Sequence, residues 1–159
     1  MRPVDDYILG ATLFGMETAM KTILLVDNEF TNLFSISDTL AILGYGTIAV
    51  QDGPTALSII EEGMPVDLAM VAECLGSMEC LELLGHFKNR FPSIPTIMLA
   101  ESCSIESYLK ARSQGAVEYL CKPVKFNDLK RIVQDVIEIG HEFDDLHALH
   151  RGAMLQQTA

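Results

Sequence analysis

Between Lys21 and about Gly140, five short and almost wholly apolar runs alternate with longer segments of helical period. The runs are Thr22 to Val26, Gly46 to Val50, Asp67 to Val71, Pro95 to Leu99 and Val117 to Leu120. A strand with one wet face alternates apolar and polar residues. These runs do not, so they predict strands covered on both faces, as in a parallel sheet with helices above and below it. The intervening helices are expected to begin near Glu29, Gly53, Met78, Ser104 and Phe126. Asp52 and Ser104 suit N-caps, and Gly44, Gly63 and Gly115 follow helices where a left-handed residue is wanted. In the last helix Leu129, Ile132, Val133, Val136 and Ile137 recur at helical spacing, so one stripe is buried while Lys130, Arg131, Gln134 and Asp135 face outward.

A chain of 159 residues with 49% apolar residues suits one core. The domain is read over residues 21–140, with an N-terminal extension at 1–20 and a tail or helix extension at 141–159, each too short for a second domain. In the extension Tyr7, Ile8, Leu9, Leu13 and Phe14 suit a short amphipathic helix, and in the tail Phe143, Leu146 and Leu149 continue a helical spacing. A net charge of -11 argues against nucleic acid as a partner, because phosphate backbones are held mainly by Lys and Arg. No apolar run reaches the length of a membrane span and no secretory signal pattern is present, so a cytoplasmic protein with no membrane partner is expected. The cysteines at 74, 80, 103 and 121 form no CxxC pair, and reduced thiols are expected.

In an open parallel sheet, functional groups collect where strands end at their carboxyl edge. Read in order, those ends carry Asp27, Asn28 and Glu29; Ala72, Glu73 and Cys74; Ala100, Glu101 and Ser102; and Cys121, Lys122 and Pro123. The segments ILLVDNE, VDLAMVAECLGSMECLELL, PTIMLAES and AVEYLCKPV resemble the successive strand ends of response-regulator receiver domains, over about three quarters of the chain. The resemblance implies a doubly wound, flavodoxin-like α/β fold with strand order 2-1-3-4-5 and helices on both faces. In that family an Asp ending the third strand takes a phosphoryl group. A divalent metal is held by that Asp and by acids ending the first strand, while a hydroxyl on the fourth strand and a Lys on the fifth engage the phosphoryl oxygens. Carried over by position, Asp27 matches the first acid, Asn28 stands at the second, Ala72 at the acceptor and Ala100 at the hydroxyl, and Lys122 is retained. A methyl group cannot attack phosphorus, and an amide is a weaker magnesium ligand than a carboxylate. The resemblance therefore implies a degenerate receiver with no catalytic residue, no cofactor and at most a weak magnesium site at Asp27.

Several of the remaining residues carry more than one reading. Glu73 is a mimic of a phosphorylated Asp, or it or Asp27 is an atypical acceptor, or it is a solvent-facing or loop carboxylate; the last is preferred because adjacent strand residues point to opposite faces. Asp27 and Lys122 are expected to pair across the emptied site. The Lys122–Pro123 bond is expected to be cis, as the resemblance implies, and Tyr119 matches the family's switch aromatic but is read as a fixed surface or interface residue. The four cysteines at one sheet edge make a metal or redox sensor the competing class, against scattered buried thiols with Cys80 pointing to the core. His141, His147 and His150 are read as solvated. The expected function is a phosphorylation-independent protein-interaction module. Its partner would be a protein such as a histidine kinase, another regulator or a second copy, met through helix 4, strand 5 and helix 5.

Overall fold

The computed structural model of the chain describes residues 20–73, 75 and 80–138. The extension at 1–20 (Met20 apart), the tail at 141–159 with its three histidines, Cys74 and the helix start at Met78 lie outside the described residues. Within them the chain runs β1 (Thr22–Val26), α1 (Phe30–Ile42), β2 (Gly46–Val50), α2 (Gly53–Glu61), β3 (Leu68–Ala72), α3 (Cys80–Arg90), β4 (Thr96–Ala100), α4 (Ile105–Ser113), β5 (Glu118–Cys121) and α5 (126–138). The five strands form one parallel sheet in the order β2-β1-β3-β4-β5. This is the doubly wound fold expected.

The absence of polar alternation has the outcome it implies in the inner strands, where every residue of β3 and β4 is buried, as are Ile23 to Val26 of β1; the edge strands β2 and β5 depart from it, with Ala49 and Glu118 exposed. β3, β4 and β5 each begin one residue later than the apolar pattern indicates. Asp67 ties the entrance of β3 to β1: its N–H donates to the Thr22 carbonyl and its carboxylate accepts the Thr22 N–H, both at 2.8 Å. Pro95 has no N–H to give, although its carbonyl accepts from Ala69. The shift carries Ala72 and Ala100 into the strands as their last residues.

Right-handed crossovers on this order place α1 on one face and α2, α3 and α4 on the other. Tyr45, just past α1, has its phenol pKa raised by burial and then by the charge of Glu138, which sets the end of α5 on the α1 face. α1, α3 and α5 turn an apolar stripe inward, Leu33, Ile36 and Leu40 on α1, Leu83, Leu84 and Phe87 on α3, and Leu129, Ile132 and Val133 on α5, whereas α4 buries only Ala111.

Three helices end the same way. Gly44, Gly63 and Gly115 have φ of 93°, 86° and 99°, and in each case the glycine and the residue after it donate back into the last turn. Gly44 N–H reaches Ala41 and Tyr45 N–H reaches Leu40, the paired bonds of a Schellman turn, which satisfy the orphan carbonyls and aim the chain into the next strand. At the other ends, Asp52 Oδ1 accepts the Thr55 N–H at 2.7 Å and Ser104 Oγ accepts the Ser107 N–H at 3.1 Å. Among the described residues no helix is long and apolar enough to cross a membrane.

Candidate functional site

The carboxyl ends of β1, β3, β4 and β5 meet beside the point where the strand order reverses, between β1 and β3. Asp27 follows β1 directly and is fully buried. Its backbone N–H is held by the Val50 carbonyl at 3.1 Å, and its Oδ1 accepts the Glu29 N–H at 2.9 Å. Its Oδ2 lies 2.8 Å from the Lys122 ammonium but off the direction of a hydrogen bond, so this contact is an ion pair.

Lys122 follows β5, across the cis bond to Pro123, with its N–H on the Ala100 carbonyl. Its ammonium also donates to Glu101 Oε1 at 2.9 Å. Burial alone would lower its pKa; contact with Asp27 and Glu101 outweighs that and holds the ammonium above its ordinary value. Glu101 in turn gives its backbone N–H to Glu73 Oε2 at 2.8 Å. One polar chain, Glu73 to Glu101 to Lys122 to Asp27, thus crosses the sheet edge.

Two positions contribute no polar side chain. Ala72 and Ala100, the last residues of β3 and β4, are fully buried. Asn28 is exposed. A magnesium ion needs about six oxygens in near-octahedral array. Among the described residues the one buried carboxylate, Asp27, has one oxygen on a backbone N–H and the other facing an ammonium, which repels a dication. These donors do not fit magnesium, and among the described residues no cluster of three or more His, Cys, Asp and Glu is arranged to hold a metal.

The β4–α4 loop leans on β5. Tyr119 Oη donates to the Ser102 carbonyl at 2.5 Å, and its ring meets Tyr108 of α4 edge-on at 5.9 Å between centroids. The side chains of Cys103 and Cys121 meet sulfur to sulfur, with Cα atoms 5.8 Å apart. Two of the four thiols expected to be scattered are thus neighbours: cysteines 18 residues apart meet because β4 and β5 are adjacent, which spacing along the chain does not reveal. Cys80 starts α3 and is buried, 3.9 Å from the Val71 carbonyl.

Glu73 stands in the bend just past β3, half-buried, with its carboxylate drawn to the Glu101 N–H at the end of β4. Glu101 was not foreseen as a partner of Lys122. The signal lay in its place directly after Ala100, since the register Ala100↔Cys121 sets Glu101 opposite Lys122.

Known proteins share this fold. Residues 23–134 match the family model described as "Response regulator receiver domain". The Escherichia coli (strain K12) regulatory protein AtoC is 25% identical over 84% of this chain and 29% of its own length. The two-component response regulator-like protein APRR9 of Arabidopsis thaliana is 32% identical over 72% of this chain and 25% of its own. The chain thus spans between a quarter and a third of the length of these curated relatives. The crystal structure of a CheY-like response regulator receiver domain protein from Methanospirillum hungatei JF-1 superposes with a TM-score of 0.71 at 29% identity, covering 78% of this chain and 98% of that one. The chain belongs to the response regulator receiver domain family.

Proposed function

We propose that this receiver domain serves two-component signalling without being phosphorylated, as a protein-interaction module and not an enzyme. The observation that carries the reading is Ala72, a buried methyl ending β3 at the acceptor position, beside a Lys122 whose ammonium is already taken by Asp27 and Glu101. A phosphoryl group there would have neither a nucleophile to form on nor an unengaged cation to neutralise it. The misfit of the donors to magnesium supports a domain that works without that ion. Glu73 and Asp27, the other acids within reach, are each held by a backbone N–H, which supports neither as an acceptor.

The partner is a protein: a histidine kinase, another regulator or a second copy of this chain. Support comes from the relatives, one a regulatory protein and one response regulator-like, and from apolar side chains exposed along one side of the fold. Ile105, Tyr108 and Leu109 on α4, Val117 before β5 and Phe126 at the start of α5 all face solvent. Such residues carry the binding energy of protein interfaces when they are desolvated. A domain that takes no phosphate shifts state only through a partner's preference for one conformation.

The test is incubation with acetyl phosphate and magnesium followed by intact mass measurement. The mass should stay unchanged. A labile gain of one phosphoryl group would overturn the reading, and its site would distinguish Glu73 from Asp27.

A further inference from the structure

We propose that Cys103 and Cys121 are a reversible thiol–disulfide site that sets how firmly the β4–α4 loop is held against β5. The inference needs only these two residues and the loop between β4 and α4, and it holds whether or not the domain accepts phosphate.

The geometry supports pairing at the backbone level. The two Cα atoms are 5.8 Å apart, inside the range of about 4.4–6.8 Å that a disulfide spans without moving the chain. Cys103 is exposed and Cys121 half-buried, so a small reagent can reach the pair from the loop side.

What the bond would control follows from its neighbours. Cys103 sits between Ser102, whose carbonyl takes the Tyr119 hydroxyl, and Ser104, which caps α4. Glu101, one residue further back, holds Lys122. Cys121 is the last residue of β5. The bond therefore ties the start of α4 to the strand that carries Tyr119 and precedes Lys122. With the thiols reduced, the same loop is held by the Tyr119 and Lys122 contacts and by the Glu101 N–H on Glu73. Ile105, Tyr108 and Leu109 follow immediately on α4 and are exposed, so the redox state reaches an apolar surface directly.

The chemistry balances with a low-molecular-weight disulfide of the glutathione class as oxidant. The thiolate of one cysteine attacks the small disulfide and releases one small thiol. The thiolate of the other then attacks the mixed disulfide and releases the second. Two protein thiols lose two electrons and two protons, and one small disulfide becomes two thiols. A dithiol reductant runs the exchange backwards.

The experiment compares the full chain equilibrated with glutathione disulfide and with dithiothreitol, by peptide mapping under non-reducing conditions and by deuterium exchange. Oxidation should give a peptide pair linked through Cys103 and Cys121, dithiothreitol should remove it, and amide exchange over residues 101–110 should slow several-fold in the oxidised form. C103S should lose both responses. A link from either residue to Cys74, to Cys80 or to another molecule, or no link at all, overturns the proposal. So does a Cys103–Cys121 link that leaves exchange over 101–110 unchanged, since the bond would then hold nothing the rest of the fold does not already hold.

Discussion

The Lys122 ammonium stands 2.8 Å from Asp27 Oδ2, with the Lys122 side chain 10% exposed and Asp27 fully buried. Removing the lysine strands a carboxylate where water cannot reach it, a loss of about 3–5 kcal/mol in comparable buried pairs. Lys122→Met should therefore lower the urea midpoint by a large fraction of the total stability. Asp27→Asn combined with Lys122→Met should recover much of the loss, because no uncompensated charge remains. If the single and double variants unfold at the same midpoint, the pair is not the structural tie described.

The same ammonium gives a pH signature. Burial opposes its charge, but contact with Asp27 and Glu101 raises its pKa above the unfolded value of about 10.4. A raised folded pKa stabilises fully below the unfolded value, and the gain is lost as pH climbs through the folded one. Equilibrium unfolding followed from about pH 8 to 12 should show an alkaline loss of stability in the wild type that is shallower in Lys122→Met. Equal slopes would mean that Lys122 is no better solvated by its partners than in the unfolded chain.

Much of this fold is written locally. The five apolar runs, the caps at Asp52 and Ser104 and the three left-handed glycines each depend on a handful of adjacent residues, and each appears within one residue of where the sequence indicates. The site is only partly local. Asp27, Ala72, Ala100 and Lys122 could be assigned to strand ends, but the hydrogen bond from Glu101 to Glu73 and the Cys103–Cys121 pair depend on how β3, β4 and β5 align. A strand buried on both faces has no alternation to fix its register, so that alignment does not show in the pattern. The path of the loop after Ala100 is hidden for the same reason.

Glu73 accepts the Glu101 N–H across the β3–β4 edge. Glu73→Ala removes the acceptor from a partly covered donor, at a cost of about 1 kcal/mol. The Glu101 amide should then exchange faster in an NMR time course, while Glu73→Gln, which keeps a carbonyl oxygen, should stay close to the wild type. Unchanged exchange in Glu73→Ala would show that the loop is held from the β5 side alone.

Gly44 and Gly115 separate two costs of a side chain in a Schellman turn. Both have positive φ, but a Cβ at Gly44 meets nothing within 4 Å, whereas at Gly115 it would lie 3.2 Å from Lys88 Cβ. Gly44→Ala should lose about 1–2 kcal/mol from backbone conformation alone. Gly115→Ala should lose more in thermal unfolding, by whatever the Lys88 stem and the α3 backbone beneath it must yield. Equal losses would mean that Lys88 moves aside freely.

Restoring acids to the sheet edge tests the site as a whole. Val26 pairs with Val71, so Asp27 and residue 72 are next neighbours on adjacent strands, about 4.8 Å apart across the ladder. Ala72→Asp would place a second carboxylate beside Asp27 with one ammonium between them, in a fully buried position. Without a divalent ion that variant should be less stable than the wild type, since two close carboxylates cannot both stay charged cheaply. Adding Asn28→Asp supplies a third oxygen donor, and this double variant should gain thermal stability from millimolar magnesium where the wild type gains none. With Ala100→Thr as well, acetyl phosphate should add one labile phosphoryl group at residue 72. If the triple variant binds magnesium and still takes no phosphate, the block lies in Lys122 and Glu101, whose ion pair would then have to open first. Glu101→Ala on that background should release it.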